Sequence, residues 1–257
     1  MPGSLLAEQN RRRQRVSHKT VFVLPSSVEA VTLDFFNTLV FHREGRGRGR
    51  ALMEYLEAQS FRTGPWEHQV LYDIFEQHDR AYSPTLDHAG RAAYLTEMAA
   101  RVFARLGISV SAAESRHHAD ALWEILGPDC FEVFPDVPDA LDELRARGTP
   151  LAVISNWQRG LRHFVTELGL EPYFHHIVGS ADFGVAKPDQ RIFLRAATLL
   201  DVPLPHILHV GDTLLDDYIG GESAGVQVVL IDRDSSVESS GLRKIRSLTE
   251  VPMWLDP

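Results

Sequence analysis

From residue 131 onward, short apolar runs alternate with stretches whose apolar residues recur every three or four positions, and few folds accommodate that rhythm. The spacing predicts helices over Pro138–Arg147, around Leu161–Leu168 and over Pro188–Leu200. Between them it predicts strands at Pro150–Ile154, His176–Val178, His206–Val210 and Val226–Ile231. Gly148 and Gly169 end the first two helices, and Pro188 stands at the start of the third. Strands alternating with helices of this length imply right-handed crossovers on a parallel sheet, an α/β Rossmann-like core.

An earlier run, VTLDFFNTLV at Val31–Val40, belongs to the same sheet by its pattern. It is apolar up to Asp34, then carries the turn residues Asn37 and Thr38. Three strands therefore end in polar clusters: Asp34–Thr38, Ser155–Asn156, and Gly211–Asp212 followed by Asp216 and Asp217. Strand ends of a parallel sheet share one edge, so the clusters are expected to converge. Taken singly each has a bland explanation, since aspartate caps turns wherever strands end. Lysine occurs only at positions 19, 187 and 244, which makes Lys187, in the loop GVAKPD, informative.

The segment between has a different rhythm. Residues 45–130 read as consecutive helices without an intervening strand, a subdomain inserted after the first strand. Val70, Leu71, Ile74, Phe75 and His78 follow the helical period, as do Leu95, Met98, Ala99, Val102, Phe103 and Leu106. Ser111 with Glu114 forms a capping box opening a helix that stops at Gly127. The run FHREGRGRGR reads as a solvated linker rather than a helix, because glycine costs backbone entropy there. Its arginines could alternatively meet an anionic substrate if a lid closed over Asp34. The core then comprises residues 19–44 and 131–257, and residues 1–18 a disordered basic leader.

A chain of 257 residues suits one large domain or two unequal ones. A net charge of −9 argues against general nucleic-acid binding, and no apolar run approaches the roughly 20 residues of a membrane helix. Val21–Leu24 is too short for a secretory core, and Cys130, the single cysteine, fits a reducing, cytoplasmic setting. Cys130 reads as a structural thiol, His175 and His176 as surface residues, and Trp157 as either pocket lining or packing. Oligomeric state is not legible.

A carboxylate nucleophile, carboxylates for a hard cation, a hydroxyl–amide pair and one lysine make a kit for phosphoryl transfer. Arranged as DFFNT, then Ser155 of VISN, Lys187 of VAKPD and GDTLLDD, they resemble the haloacid dehalogenase-like (HAD) hydrolase superfamily over about residues 28–250. The resemblance implies a magnesium-dependent hydrolase of a small phosphorylated molecule. It implies Asp34 as nucleophile, Thr38, Ser155 and the Asn156 amide as phosphate ligands, and Lys187 as charge neutraliser. Magnesium would be held by Asp34, the Phe36 backbone carbonyl and Asp212, with Asp217 (or else Asp216) in support. The helical insert resembles the family's cap.

One departure matters. Phosphatases of the family carry a second aspartate two residues after the nucleophile, as general acid and base, where this chain has Phe36. General acid catalysis is worth about 10²–10⁴ in rate. Good leaving groups would evade the loss, or a cap histidine (His78, His88, His117 or His118) would take over. An aromatic at that position also resembles the metal-independent 2-haloacid dehalogenases, but those lack the carboxylates of Gly211–Asp217. A binding or regulatory protein with impaired chemistry is a further alternative. Relatives that cleave phosphonates use a cap lysine, and residues 41–133 contain none.

Overall fold

The computed structural model describes residues 27–43, 48–61, 88–127, 130–157, 160–238 and 241–255. The expected leader, the apolar run Val21–Leu24 and the helix through Val70–His78 lie outside the described residues.

Six strands form one sheet: β1 (Ala30–Leu33), β4 (Leu151–Ser155), β5 (His176–Gly179), β6 (Ile207–Gly211), β7 (Gln227–Ile231) and β8 (Lys244–Ile245). Their order is β5-β4-β1-β6-β7-β8, and each pairing is parallel. β1 is central: the chain winds outward from it through β4 and β5, then returns to β6 on its other side. That reversal opens a crevice at the carboxyl ends of β1 and β6, where α/β sheets bind ligands. β1 pairs Leu33 with Val153 of β4 and Val210 of β6, which brings Asp34 level with the ends of both neighbours.

Both faces of the sheet are covered, so its strands read as nearly continuous apolar runs. Val31, Leu33, Val153, Leu208 and Val210 pack on one face with Leu141, Leu144 and Phe164. Ala30, Ile154, Ile207 and Leu230 pack on the other with Ile192, Phe193 and Ala196 of helix Gln190–Leu200. Successive strand residues point to opposite faces, and the two clusters divide them accordingly. Thr32 and His209 are polar residues buried in these strands.

Among the described residues, the expected helices and strands fall within two residues of their positions, with two departures and one shifted start. Val40–His42 is a strand, β2, paired antiparallel with β3 (Phe131–Val133) in a separate ribbon. Short apolar runs of this kind carry too little period to be classified alone. The second difference corrects the Arg-Gly reading: helix Arg48–Ala58 takes in Arg48, Gly49 and Arg50. A glycine in a first turn costs little against the buried face of Ala51, Leu52 and Leu56 that follows. Finally, the helix expected from Pro188 starts at Gln190, because Asp189 caps it through the Arg191 amide.

The β2–β3 ribbon stands where the chain leaves the core and returns, and the Arg43 amide donates to the Cys130 carbonyl at 2.8 Å. Between these strands, helices Arg48–Ala58, His88–Arg105 and Ala112–Leu126 bury a hydrophobic cluster of their own around Leu52, Leu56, Phe103 and Leu122. The Ser111–Glu114 capping box and the Gly127 stop are formed as expected. Cys130 is buried.

Candidate active site

β1 ends at Leu33, and the Asp34 amide still donates to the Val210 carbonyl, which fixes the carboxylate at the crevice. The chain then turns back: the Leu39 and Val40 amides both return to the Phe35 carbonyl. Asn37, at the apex, takes a left-handed conformation (φ 59°) that asparagine tolerates better than most residues. Its side-chain amide donates to Asp212 Oδ2 at 3.2 Å, linking the loops after β1 and β6.

Lys187 is the hub. Its Nζ donates to Asp34 Oδ1 at 2.6 Å, Asp217 Oδ1 at 2.5 Å and the Ile154 carbonyl at 3.0 Å. Three acceptors match the three hydrogens of an ammonium. All three side chains are buried. The Asn156 side chain grips the Lys187 backbone, accepting its N–H at 2.7 Å and donating to its carbonyl at 2.9 Å. It also donates to Asp216 at 3.3 Å. The Lys187–Pro188 peptide is cis.

After β6 the chain makes a π-helical stretch, Leu214–Ile219, that turns Asp217 back beneath Gly211. A β-carbon at Gly211 would fall inside the Asp217 carboxyl group, so a side chain at 211 is sterically excluded. Asp217 is saturated: Oδ1 accepts from Lys187 and His209 Nε2 (3.0 Å), Oδ2 from the Thr213 amide (2.9 Å) and hydroxyl (2.5 Å). His209 is held on its other side by Thr32 Oγ1 at 2.9 Å.

Asp34, Asp212 and Asp217 each present an oxygen within 4.8 Å of the others. With Asp216 they set, among the described residues, four carboxylates against one ammonium. Burial, then the charges of Asp34 and Asp217, push the Asp212 pKa up to about 7. Burial raises Asp34 as well, with the Lys187 ammonium opposing. Burial works against charge on Lys187 and Asp217, but the Asp34 and then the Asp217 carboxylate hold the lysine pKa up, and the Lys187 ammonium, with the His209 hydrogen bond, holds the Asp217 pKa down. A cluster with excess negative charge and only oxygen donors fits a hard divalent cation.

The structure brings Asp34, Ser155, Asn156, Lys187, Asp212 and Asp217 together. Thr38 is fully buried, and its hydroxyl has no hydrogen-bond partner among the described residues. The Phe36 ring packs edge-on against Phe131, with centroids 5.8 Å apart, and lies 6.4 Å from Trp157. Trp157 itself packs among Phe35, Phe131 and Phe164, so core packing accounts for it. His118 is tied to Tyr55 inside the helical cluster, its Nδ1 2.7 Å from the hydroxyl. His78 lies outside the described residues. The sequence reading missed Thr32, His209, Thr213, Asp136 and Arg233. Only the polar His209 within an apolar strand left a signal there.

A family model for haloacid dehalogenase-like hydrolases matches residues 28–225, and the chain belongs to that family. A "haloacid dehalogenase-like hydrolase domain-containing protein 3" of Danio rerio is 38% identical over 107 residues, 42% of this chain and 44% of that protein. A glyceraldehyde 3-phosphate phosphatase of Methanopyrus kandleri is 34% identical over 130 residues, 48% of this chain and 51% of that protein. The chain thus spans about half the length of these relatives. The crystal structure of a 2-haloacid dehalogenase from Pseudomonas syringae superposes with a TM-score of 0.59 at 25% identity, covering 89% of this chain and 98% of that one. Among the described residues no helix is long and apolar enough to cross a membrane.

Proposed function

We propose that this hydrolase is a magnesium-dependent phosphatase of a small phosphorylated molecule, acting through a phosphoryl group carried transiently on Asp34. The observation that carries the reading is the Lys187 ammonium held between Asp34 and Asp217, with Asp212 beside them. Phosphoryl transfer asks chiefly for positioning and for neutralisation of charge on three equatorial oxygens. Asp34 and Asp212, with the Phe36 backbone carbonyl, would hold magnesium, which would supply positive charge at those oxygens. Asp217, its oxygens already engaged, would support the site by fixing Lys187.

The Thr38 and Ser155 hydroxyls and the Asn156 backbone amide would hold the phosphoryl oxygens while Lys187 neutralises charge shared with Asp34. Asp34 attacks phosphorus as the bond to the leaving oxygen breaks. Water then attacks the same phosphorus, releasing phosphate and restoring the carboxylate. Phe36 moves no proton, so substrates whose leaving group needs none, acyl or aryl phosphates, are favoured. The helical cluster acts as a cap over the crevice and selects the substrate. The Methanopyrus kandleri phosphatase supports a small phosphorylated substrate, and the single buried thiol a cytoplasmic setting.

A second reading, hydrolysis of a 2-haloacid by Asp34, draws on Phe36 and on the likeness to the Pseudomonas syringae dehalogenase. The excess of carboxylates around Asp34 weighs against it, because without a cation they repel the nucleophile's own charge. Two assays separate the readings. Phosphate release from p-nitrophenyl or acetyl phosphate should require magnesium and vanish in Asp34→Asn. Halide release from a 2-haloacid in the presence of a chelator would reverse the assignment.

A further inference from the structure

Arg233, just past β7, reaches across the sheet edge to the loop that carries Asp34. Its Nη2 donates to the Thr38 carbonyl at 2.7 Å. Its Nη1 donates to both oxygens of Asp136, at 2.9 and 3.1 Å, and the guanidinium lies 3.7 Å above the Phe134 ring. Asp136 stands before helix Val137–Ala146 yet makes no side-chain cap for it. Its carboxylate instead accepts from Ser247 Oγ (2.9 Å) and the Leu248 amide (2.7 Å). One aspartate therefore anchors Arg233 to the C-terminal segment, and Arg233 anchors the Thr38 peptide.

An ion pair of this kind is poor evidence for stability, since apolar replacements often serve as well. What distinguishes it is the residue it holds. Thr38 is fully buried with a hydroxyl that no described group satisfies, an arrangement that costs free energy unless a ligand completes it. Holding the carbonyl of a residue orients its peptide plane and so the direction of its side chain.

We propose that Arg233 is a positioning residue that aims the Thr38 hydroxyl at the phosphoryl group, with Asp136 as its anchor. The proposal rests on the phosphatase reading above, and it acts on binding rather than on proton transfer. Without the fork, Thr38 turns away and a phosphoryl oxygen loses its donor.

The test compares wild type, Arg233→Met, Thr38→Val and the double variant. The readouts are the orthovanadate dissociation constant with magnesium present, by calorimetry, and KM and kcat on p-nitrophenyl phosphate. Arg233→Met should weaken orthovanadate by about tenfold, as expected for one lost hydrogen bond to a charged group. KM should rise more than kcat falls, and the double variant should bind no worse than Thr38→Val. If Arg233→Met cannot be purified folded, Arg233→Lys, which keeps the charge without the fork, should show the same loss in smaller measure. Unchanged orthovanadate binding beside a lowered melting temperature, or additive losses in the double variant, overturns the role of Arg233. A wild type that binds no orthovanadate overturns the phosphatase reading itself, and this inference with it.

Discussion

Replacing Lys187 by methionine removes the one ammonium from the site while keeping a chain of similar length. Three hydrogen bonds go, to Asp34, Asp217 and the Ile154 carbonyl, and two buried carboxylates lose their counter-charge. Removing one partner of a buried pair costs about 3–5 kcal/mol, most of it the uncompensated charge left behind. That range applies here at neutral pH in metal-free protein. Asp217 has a folded pKa below its unfolded value, so its contribution in wild type is present above about pH 4 and lost as pH falls through the folded value. In the variant, burial without the ammonium raises the carboxylates, which then take up protons on folding. The penalty should therefore shrink as pH falls from 7 toward 5, and magnesium should stabilise the variant more than wild type. Guanidinium unfolding of both proteins at the two pH values, with and without magnesium, measures it. An equal penalty at pH 5 and 7, unmoved by magnesium, would mean that lost packing and not charge sets the cost, and the argument would fail.

Phe36→Asp should raise turnover most on alkyl phosphates, whose leaving groups need a proton, by up to about 10²-fold; equal gains on aryl and alkyl esters would contradict that account. Gly211→Ala drives a methyl group into the Asp217 carboxyl group, so it should cost about 1–3 kcal/mol in unfolding experiments and depress kcat with it. Asp212 has a folded pKa of about 7 against an ordinary 3.8, so its ionisation opposes folding. The stability of metal-free protein should fall as pH rises across that window, with a ceiling of about 4 kcal/mol from this group. Asp212→Asn should flatten that part of the curve, as read from melting temperatures.

Much of the site was legible because its parts sit at strand ends. Asp34, Ser155 and Asp212 each close an apolar run, and a parallel sheet places such ends side by side. Lys187 stood out through the scarcity of lysine. The roles were less legible than the positions. Asn156 spends its side chain on the Lys187 backbone, and Asp217 spends its oxygens on Lys187, His209 and Thr213. Neither assignment follows from a motif, because each depends on where a distant backbone runs.

The sequence alone determined the alternation of strands and helices, the break in that rhythm over the helical segment, and the loops that carry the reactive groups. Those properties are local, set by side-chain period and by glycine, proline and capping residues within a few positions. Only the tertiary structure decided the β2–β3 ribbon, the Thr32–His209 bond across 177 residues and the Arg233–Thr38 bond across 195. Such contacts depend on strand order and register, which emerge when the whole core packs and have no signature in any short stretch of chain.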